Sequence, residues 1–310
     1  MPLAWLFCVA GMMGTLPVFQ VNQLVQVMRD TLAIPNGLAT VQSHFVFDFL
    51  AGGILALVVF SVAIGKIERV SGVAARLVPL IMVSYLVLTG FILISNASEI
   101  PSTLWFIVTD AFSGEAVSGG VIGTVILIGV QRGAFSNEAG IGTESMAHGA
   151  AKTNEPAREG LVAMLGPIAD TLIVCTCTAL TLLLTGVWNS GAVGVTMAAI
   201  AYETTLPGYG GYLLLLMVLV LSMTTVMTYW YYGSKCMGFL FGTKSEKFYM
   251  IFYMSLILVG ALVSLDVVIN LLDGSYAMMA IPTMISTLLL AGKVKGNAKS
   301  YFKKVDSNML

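Results

Sequence analysis

The sequence from Gly129 to Pro156 reads GVQRGAFSNEAGIGTESMAHGAAKTNEP, a polar, glycine-rich run that holds one of the chain's two histidines. The residues on both sides of it are mostly apolar. Of all 310 residues, 57% are hydrophobic and only 10% are charged, whereas about a quarter of a soluble domain is charged. The composition therefore predicts an integral membrane protein in which this run leaves the hydrocarbon.

The apolar segments around the run are long enough to cross a bilayer. A transmembrane helix needs about 20 mostly apolar residues, and only helices or closed barrels satisfy the backbone in lipid. Eight windows qualify: residues 3–28, 46–65, 76–96, 116–134, 160–187, 210–233, 248–270 and 275–292. Because they lack the alternation of barrel strands, we expect an all-α integral membrane protein with eight transmembrane helices.

Basic residues distinguish the two sides of the membrane. They cluster in alternate loops and in the tail: Lys66, Arg69, Arg76, Arg132, Lys152, Arg158, Lys235, Lys244, Lys247, Lys293, Lys295, Lys299, Lys303 and Lys304. The other loops carry acids such as Glu99, Glu203 and Asp273, with Arg29 as the only basic exception. The positive-inside rule places both ends in the cytoplasm, with residues 1–292 as the transmembrane domain and 293–310 as a basic cytoplasmic tail. The balanced net charge of −1 gives no indication of a nucleic-acid partner.

Cysteines and the N-terminus indicate neither a metal centre nor a leader. Cys175 and Cys177 lie about 200° apart around a helix and cannot grip one metal ion, so the four cysteines are expected to be small core residues. Met1 is not followed by a basic segment and a small-residue cleavage site, and no cleavable signal peptide is predicted.

The first span contains amides at membrane depth. Pro17 removes a backbone hydrogen bond and predicts a kink, and Gln20, Asn22, Gln23 and Gln26 follow within two turns. Buried amides need partners, which are either other helices or a ligand. The residues alone leave both alternatives open.

The fourth span is rich in glycine. Gly119, Gly120 and Gly123 leave one turn without side chains, beside the hydroxyl of Thr124. Such spacing permits tight helix packing, and it is also typical of an unwound stretch whose free backbone groups bind a ligand.

The sixth span carries hydroxyls on one face. Ser222, Thr224, Thr225 and Thr228 place oxygen atoms at membrane depth. These oxygens suit Na⁺, although threonines also bond locally to the carbonyl four residues earlier.

Acids inside apolar spans are functional candidates because their insertion costs about 2.5–3.5 kcal/mol. Asp48 stands near the start of its span, Asp266 lies deeper in its own, and Asp170 lies midway along a long segment.

Two further expectations concern the connections between spans. Residues 100–112 are predicted to be a short amphipathic stretch that lies flat at the outer interface, and Arg132 is predicted to pair with Glu138.

Several stretches together resemble one transporter family. QRGAFSNEAGIGTESMAHGAA, followed by DTLIVCTCTALTLLLTG (Asp170–Gly186), is similar to the signature of the alanine or glycine:cation symporters. The similarity continues through RLVPLIMVSYL, EIPSTLWFIVTDAF, YYGSKCMGFLFG and MMAIPT. It implies secondary active symport of a small neutral amino acid, usually L-alanine or glycine, with Na⁺ or in some cases H⁺, in the cell membrane by alternating access.

The resemblance also implies a fold similar to that of the bacterial leucine transporter, with two inverted five-helix repeats. The eight spans match core helices three to ten. The family's first two core helices, the first with its Gly-Thr-Gly-Asn type motif, and an extra N-terminal helix are absent, so we expect a partial transporter domain.

The resemblance assigns roles to individual residues. Substrate contacts are expected at Gln20, Asn22, Gly119, Gly120, Val121, Ile122, Gly123, Thr124 and Tyr229, with residues 119–124 unwound. Na⁺ ligands are expected at Thr225, Thr224 and Ser222. Arg132, Glu138 and Asp170 are expected to serve gating or structure, and no cofactor is implied.

Three other functions are alternatives. A cation-independent facilitator would use the same residues without coupling. A truncated chain would be inactive in transport. An enzyme is not expected, because His44 and His148 lie in loops on opposite sides and supply no metal or nucleophile–base constellation.

Overall fold

The computed structural model of the chain describes residues 1–63, 66–111 and 121–307, and for residues 66–71, 73, 111 and 121–125 it describes the backbone alone. Within these ranges every regular element is a helix, which confirms the all-α prediction.

The first predicted span is a broken helix. Helix α1 spans Pro2–Gly14, and α2 spans Val18–Met28 and continues as a π-helical turn over Arg29–Ala33. The interruption falls just before and at Pro17, which has no amide hydrogen to give to a helix interior. The predicted kink is confirmed.

The remaining helices follow in chain order. They are α3 (Phe45–Ala63), α4 (Lys66–Ser95), a 3₁₀ turn (Ala97–Glu99), α5 (Ile100–Ala111), α6 (Val121–Asn137), α7 (Thr143–His148), α8 (Pro156–Ala163) and α9 (Leu165–Pro167). After a π-helical segment (Ile168–Cys175) come α10 (Thr176–Leu184), a 3₁₀ turn (Val187–Asn189), α11 (Val195–Thr205), α12 (Gly210–Phe241), a 3₁₀ turn (Thr243–Ser245), α13 (Glu246–Leu262) and α14 (Leu265–Asp306).

Seven stretches of the described chain are helical, long and apolar enough to cross a membrane: residues 2–33, 45–63, 74–95, 156–184, 210–241, 243–262 and 265–306. Each corresponds to one of the predicted windows. The eighth window, residues 116–134, falls partly on residues outside the described ranges, and α6 covers its remainder. The multi-pass membrane architecture is therefore confirmed, whereas the count of eight remains a prediction.

The last two spans begin earlier than predicted. The chain turns at Val263–Ser264, and α14 then runs for 42 residues through the basic tail without a break. Asp266 consequently lies exposed in the first turn of α14. The expectation that it lies deep in a span is wrong, because the turn comes just before it.

Helix α12 occupies the centre of the bundle. It packs against α1, α2, α4, α11 and α13. Val226, Met227, Tyr229 and Trp230 are buried at its middle, and the hydroxyl of the fully buried Tyr253 on α13 donates to the Val226 carbonyl at 2.7 Å. The middle of α12 is therefore held in place by other helices on several sides.

Cys8 and Cys236 are buried together in a small apolar cluster with Leu240, and all four cysteines are free thiols. The prediction of small core residues is confirmed for this pair. Cys175 and Cys177 are only partly buried.

Glycines bring α13 close to α2 and α3. A Cβ atom at Gly260 of α13 would lie 2.9 Å from the Cα and 3.0 Å from the carbonyl oxygen of Val18 on α2. At Gly52 of α3 it would lie 2.8 Å from the Cβ of Ala261. The neighbouring Gly53 has nothing within 4 Å. One face of α3 and one face of α13 thus depend on the absence of side chains.

We expect Gly260→Ala to lower the melting temperature of the purified protein in detergent. The added methyl group meets backbone atoms that cannot rotate away, and overpacking of this kind costs about 1–3 kcal/mol. Gly53→Ala is the matched control, because its methyl group enters open space and gains about 1 kcal/mol of helix propensity. A Gly260→Ala protein that melts at or above the wild-type temperature would contradict the described packing of α2 against α13.

The connection between α11 and α12 is held by Glu203. Its Oε2 atom accepts a hydrogen bond from the Gly211 amide at 2.9 Å, and Oε1 accepts one from the Gly208 amide. These backbone donors lower the pKa of Glu203 below its ordinary value. The carboxylate also faces the N-terminal end of α12, where negative charge is favourable.

Glu203→Gln should lower the melting temperature at pH 7 because it removes the charge that these amides stabilise. Since the folded-state pKa is the lower one, this stabilisation is present above the unfolded pKa of about 4.3 and is lost as pH falls through the folded-state pKa. The difference between wild type and variant should therefore shrink in acid. Melting curves at neutral and acidic pH test this, and a difference that grows in acid would contradict it.

Candidate functional site

Three of the four predicted hydroxyls of α12, those of Thr224, Thr225 and Thr228, line one cavity. Thr224 donates to the Val220 carbonyl at 3.0 Å, Thr225 to Leu221 at 2.9 Å and Thr228 to Thr224 at 2.9 Å. The hydrogen bonds from these threonines to preceding carbonyls, which the sequence left as an alternative to ion binding, are therefore formed. It does not use up these oxygens, since a hydroxyl that donates keeps two lone pairs for a cation or a ligand proton.

A cavity of about 210 Å³ adjoins this face. Thr224, Thr225 and Thr228 line it from α12. The other lining residues are Ala74 and Val78 of α4, Glu138, Tyr229 and Tyr232. Three predicted residues of separate roles (Thr225 for Na⁺, Tyr229 for substrate and Glu138 for gating) thus meet in one space. Ser222, in contrast, does not belong to this lining.

Tyr229 joins the cavity to the run quoted at the outset. Its hydroxyl donates to the Glu138 carboxylate and lies 2.8 Å from the hydroxyl of Tyr276 on α14. Tyr229 and Tyr276 are both buried. Sequence reasoning missed Tyr276, because nothing in its local pattern distinguishes it from the apolar residues of its helix.

Glu138 and Arg132 do not pair with each other. Arg132 Nη2 lies 2.6 Å from Asp273 Oδ2, and its guanidinium also stands 6.0 Å from the ring centroid of Phe135. The predicted Arg132–Glu138 pair is wrong, because α6 turns Arg132 toward α14 whereas Glu138, beyond the end of α6, faces α12. Asp273, expected in an outer loop, instead lies within α14.

The run after Glu138 is inserted into the bundle. Ile141 and Thr143 are buried, the Thr283 hydroxyl donates to the Ile141 carbonyl at 3.0 Å, and a Cβ atom on Gly142 would overlap Phe7. Exposed residues occur in both halves of the run, and residues 149–154 are exposed throughout. Gly140 and Gly142 take φ of 81° and 105°, a conformation that glycine adopts without steric cost.

Asp170 lies in the π-helical segment, and its carboxylate accepts a hydrogen bond from the Ser136 hydroxyl of α6 at 2.5 Å. Thr171 donates to Asn137 on the same two elements at 2.7 Å. Asp170 therefore ties the π-helical segment to the end of α6, which agrees with a structural role beside the run.

The amides of α2 divide into two groups. Gln23 bonds to Gln26 at 3.0 Å and accepts from the Val195 amide at 3.0 Å, and Gln26 donates to Thr196 at 2.9 Å. Asn22 donates to the carbonyls of Val263 at 2.6 Å and Gly260 at 3.3 Å, which end α13 without helical partners. These amides join helices, so the structure engages Asn22 in packing rather than leaving it free for substrate.

Gln20 behaves differently. It is 8% exposed, and its Oε1 atom has no hydrogen-bond partner in the described part of the chain. The indole Nε1 of Trp230, next to Tyr229, is likewise buried without a partner there. An unsatisfied buried polar atom costs about 1–3 kcal/mol. These two atoms are therefore candidates for contact with a polar ligand.

The glycine-rich candidates are only partly visible. Gly119 and Gly120 lie outside the described residues. Val121, Ile122, Gly123 and Thr124 form the first described turn of α6, and nothing is described of their side chains. For these four residues the backbone is helical and not unwound, which departs from the expectation.

Asn22→Asp should destabilise the protein by about 1–3 kcal/mol, because it replaces a donor by a carboxylate that faces two carbonyl oxygens. Asn36→Asp is the matched control: Asn36 makes the same type of bond to the Leu32 carbonyl at 2.8 Å, but on an exposed surface. Thermal unfolding of both variants in detergent provides the measurement. Equal effects of the two substitutions would contradict a role for Asn22 in holding α2 to α13.

Comparisons with known proteins find similar sequences over nearly the whole chain. The model of the sodium:alanine symporter family matches residues 2–309. An uncharacterized transporter of Haemophilus influenzae is 31% identical over 99% of this chain and 67% of its own length. The sodium/alanine symporter AgcS of Methanococcus maripaludis is 34% identical over 93% of this chain and 63% of its own length.

A more distant relative is the sodium/proton-dependent alanine carrier protein of Bacillus sp. (strain PS3), which is 28% identical over 77% of this chain and 54% of its own length. The chain thus spans about two thirds or less of the length of these relatives.

Proposed function

Because this chain belongs to the sodium:alanine symporter family, we propose that it transports a small neutral amino acid, L-alanine or glycine, together with Na⁺. The family and the membrane-spanning helices indicate a transporter and not an enzyme. The amino acid, the coupling and the mechanism are the parts that we propose.

The observation that carries the proposal is the cavity on α12. Thr224 and Thr225 present hydroxyl oxygens to a space of about 210 Å³ in the bundle. Neutral oxygen ligands suit a hard cation, and the residues present therefore fit Na⁺. Water has a liquid volume of about 30 Å³ per molecule, so the space is large enough for an ion and several of its waters. Ser222, one turn earlier on α12, is a weaker candidate because it lies outside the lining of this cavity.

The amino acid is proposed to bind near Gln20 and Tyr229. The free oxygen of Gln20 suits the ammonium group of an amino acid, which needs acceptors in a buried site. The backbone of Gly119–Thr124 is the proposed partner of the carboxylate, as the family resemblance implies. A large aromatic side chain at Tyr229 leaves room for a small substrate side chain only.

Alternating access then requires that the site open to each side in turn. We propose that the run from Glu138 to Thr143 takes part on the cytoplasmic side, because it contacts α1, α12 and α14 together. The Arg132–Asp273 and Ser136–Asp170 contacts hold α6 to its neighbours, and they have to break or move with it. If Na⁺ and amino acid each favour the same conformation, each raises the other's affinity by the same factor.

Reconstitution tests the proposal. The purified chain in proteoliposomes should take up radiolabelled L-alanine faster with an inward Na⁺ gradient than with an equal K⁺ gradient. Thr225→Val should raise the Na⁺ concentration for half-maximal uptake about tenfold or more, since a hydrogen bond or ligand to a charged group contributes about 1.5–3 kcal/mol.

Thr109→Val is the control for the loss of a hydroxyl. Thr109 makes the same local bond, to the Trp105 carbonyl at 2.9 Å, but it stands exposed on α5. Uptake that is equal under Na⁺ and K⁺ gradients would indicate a facilitator, and an absence of uptake under any cation gradient would exclude transport by this chain.

A further inference from the structure

Glu138 occupies a backbone conformation that its side chain does not favour. It follows the last residue of α6 with φ of 55°, and it is the only residue other than glycine with positive φ in the described part of the chain. Helices commonly end on glycine in this conformation, and a residue with a Cβ atom pays about 1–2 kcal/mol there. The backbone therefore gives no reason for a glutamate at this position.

The side chain of Glu138 points into the cavity on α12. It is half-buried, it is part of the cavity lining, and its carboxylate accepts a hydrogen bond from the Tyr229 hydroxyl. That donor is a neutral phenol. The other titratable side chains near this carboxylate are Tyr232, which lines the cavity on α12, and Tyr276 of α14, which bonds to Tyr229. Glu144 of the same connection is a further acidic side chain near it.

Nothing basic among the described residues forms an ion pair with Glu138. Arg132, which lies two turns earlier on α6, is paired with Asp273. A carboxylate that is withdrawn from water without an opposite charge is costly. Burial raises the pKa of Glu138 and so favours the neutral acid, whereas a cation bound in the cavity would favour the carboxylate, whose charge it would balance.

The other oxygens of the cavity are neutral. Thr224, Thr225 and Thr228 supply hydroxyls that already donate to backbone carbonyls, so their lone pairs remain for a cation. One carboxylate with neutral oxygens suits a monovalent ion. No group of three or more His, Cys, Asp or Glu side chains that could hold a metal is found in the described ranges, which argues against a divalent or transition metal.

We infer that Glu138 supplies the negative charge of the Na⁺ site whose neutral oxygens come from the threonines of α12. The inference rests on the proposed Na⁺ coupling and adds to it the residue that carries the charge. It also links the ion to the connection after α6: a cation held between Glu138 and α12 keeps that connection against the bundle, and loss of the cation releases it.

Na⁺ binding to the purified chain in detergent tests the inference independently of transport. We expect NaCl to raise the melting temperature when it replaces choline chloride at constant ionic strength, and radioactive ²²Na⁺ to bind in the same concentration range. Glu138→Gln keeps the shape of the side chain and should weaken Na⁺ binding at least tenfold. Glu138→Asp keeps the charge on a shorter side chain and should weaken it less.

Two further variants separate a lost ligand from a damaged fold. Glu138→Gly relieves the backbone strain, so it should melt at or above the wild-type temperature without Na⁺ and yet gain nothing from Na⁺. Glu99→Gln removes the same charge from an exposed turn outside the cavity and should respond to Na⁺ as the wild type does.

The outcomes distinguish the inference from the proposed function. If Glu138→Gln and Glu138→Gly bind Na⁺ as tightly as the wild type while Thr225→Val does not, the inference is overturned and Na⁺ coupling stands. If the wild-type chain itself neither binds Na⁺ nor gains stability from it, both are overturned.

Discussion

Hydrocarbon contains no water to satisfy a free backbone carbonyl or amide, and this constraint decides how the chain can be interrupted. At three breaks in its helices, a side chain from another element or from the preceding turn bonds to the backbone carbonyls. Thr15 bonds to Gly11 at the break before Pro17. Asn22 bonds to the two carbonyls that end α13, and Thr283 of α14 bonds to Ile141 after α6. Interruptions are therefore also the points where separate helices are fastened together.

Polar groups in the bundle fall into two kinds under the same constraint. The amides of Gln23 and Gln26 are fully engaged with Thr196 and the Val195 backbone, and Thr196 in turn donates to Asp30 at 2.6 Å. This hydrogen-bond network joins neighbouring helices and keeps these polar groups from binding a ligand. Gln20, the hydroxyl face of α12 and the Glu138 carboxylate keep unused acceptor capacity. The division between engaged and unengaged groups separates the packing of this protein from its candidate chemistry.

Much of the fold was predictable from the sequence, because lipid permits so few solutions. Hydropathy located all seven spans found in the described part of the chain, and Pro17 located the break in the first. The ends of the last two spans were not predictable, since apolar residues continue across the turn at Val263–Ser264 and the carbonyls freed there are satisfied from another helix, by Asn22. Composition also could not show that α14 continues into the basic tail, because lysine-rich segments occur both as helix and as coil.

The candidate site was predictable in part. The hydroxyls of α12 and the glutamate of the run were visible as residues, but their convergence depends on the direction that α6 takes at its end. Arg132 pairs with Asp273 rather than with Glu138 for the same reason, because the pairing depends on how α6 packs against α14. Tyr276 gave no signal at all, since a tyrosine in an apolar helix is as well explained by packing. Family resemblance suggested roles for single residues, and the geometry shows which of them share a space.

The length of α14 has a mechanical consequence. Its 42 residues amount to about 63 Å of helix, roughly twice the thickness of the hydrocarbon, with Pro282 inside it. Tyr276, in the first third of the helix, bonds to Tyr229 in the wall of the cavity, while Lys304 near the C-terminal end lies 2.7 Å from Glu155 just before α8. A tilt of a few degrees at the cavity therefore becomes a displacement of several ångströms at the C-terminal end of α14, which a fluorophore attached there would report.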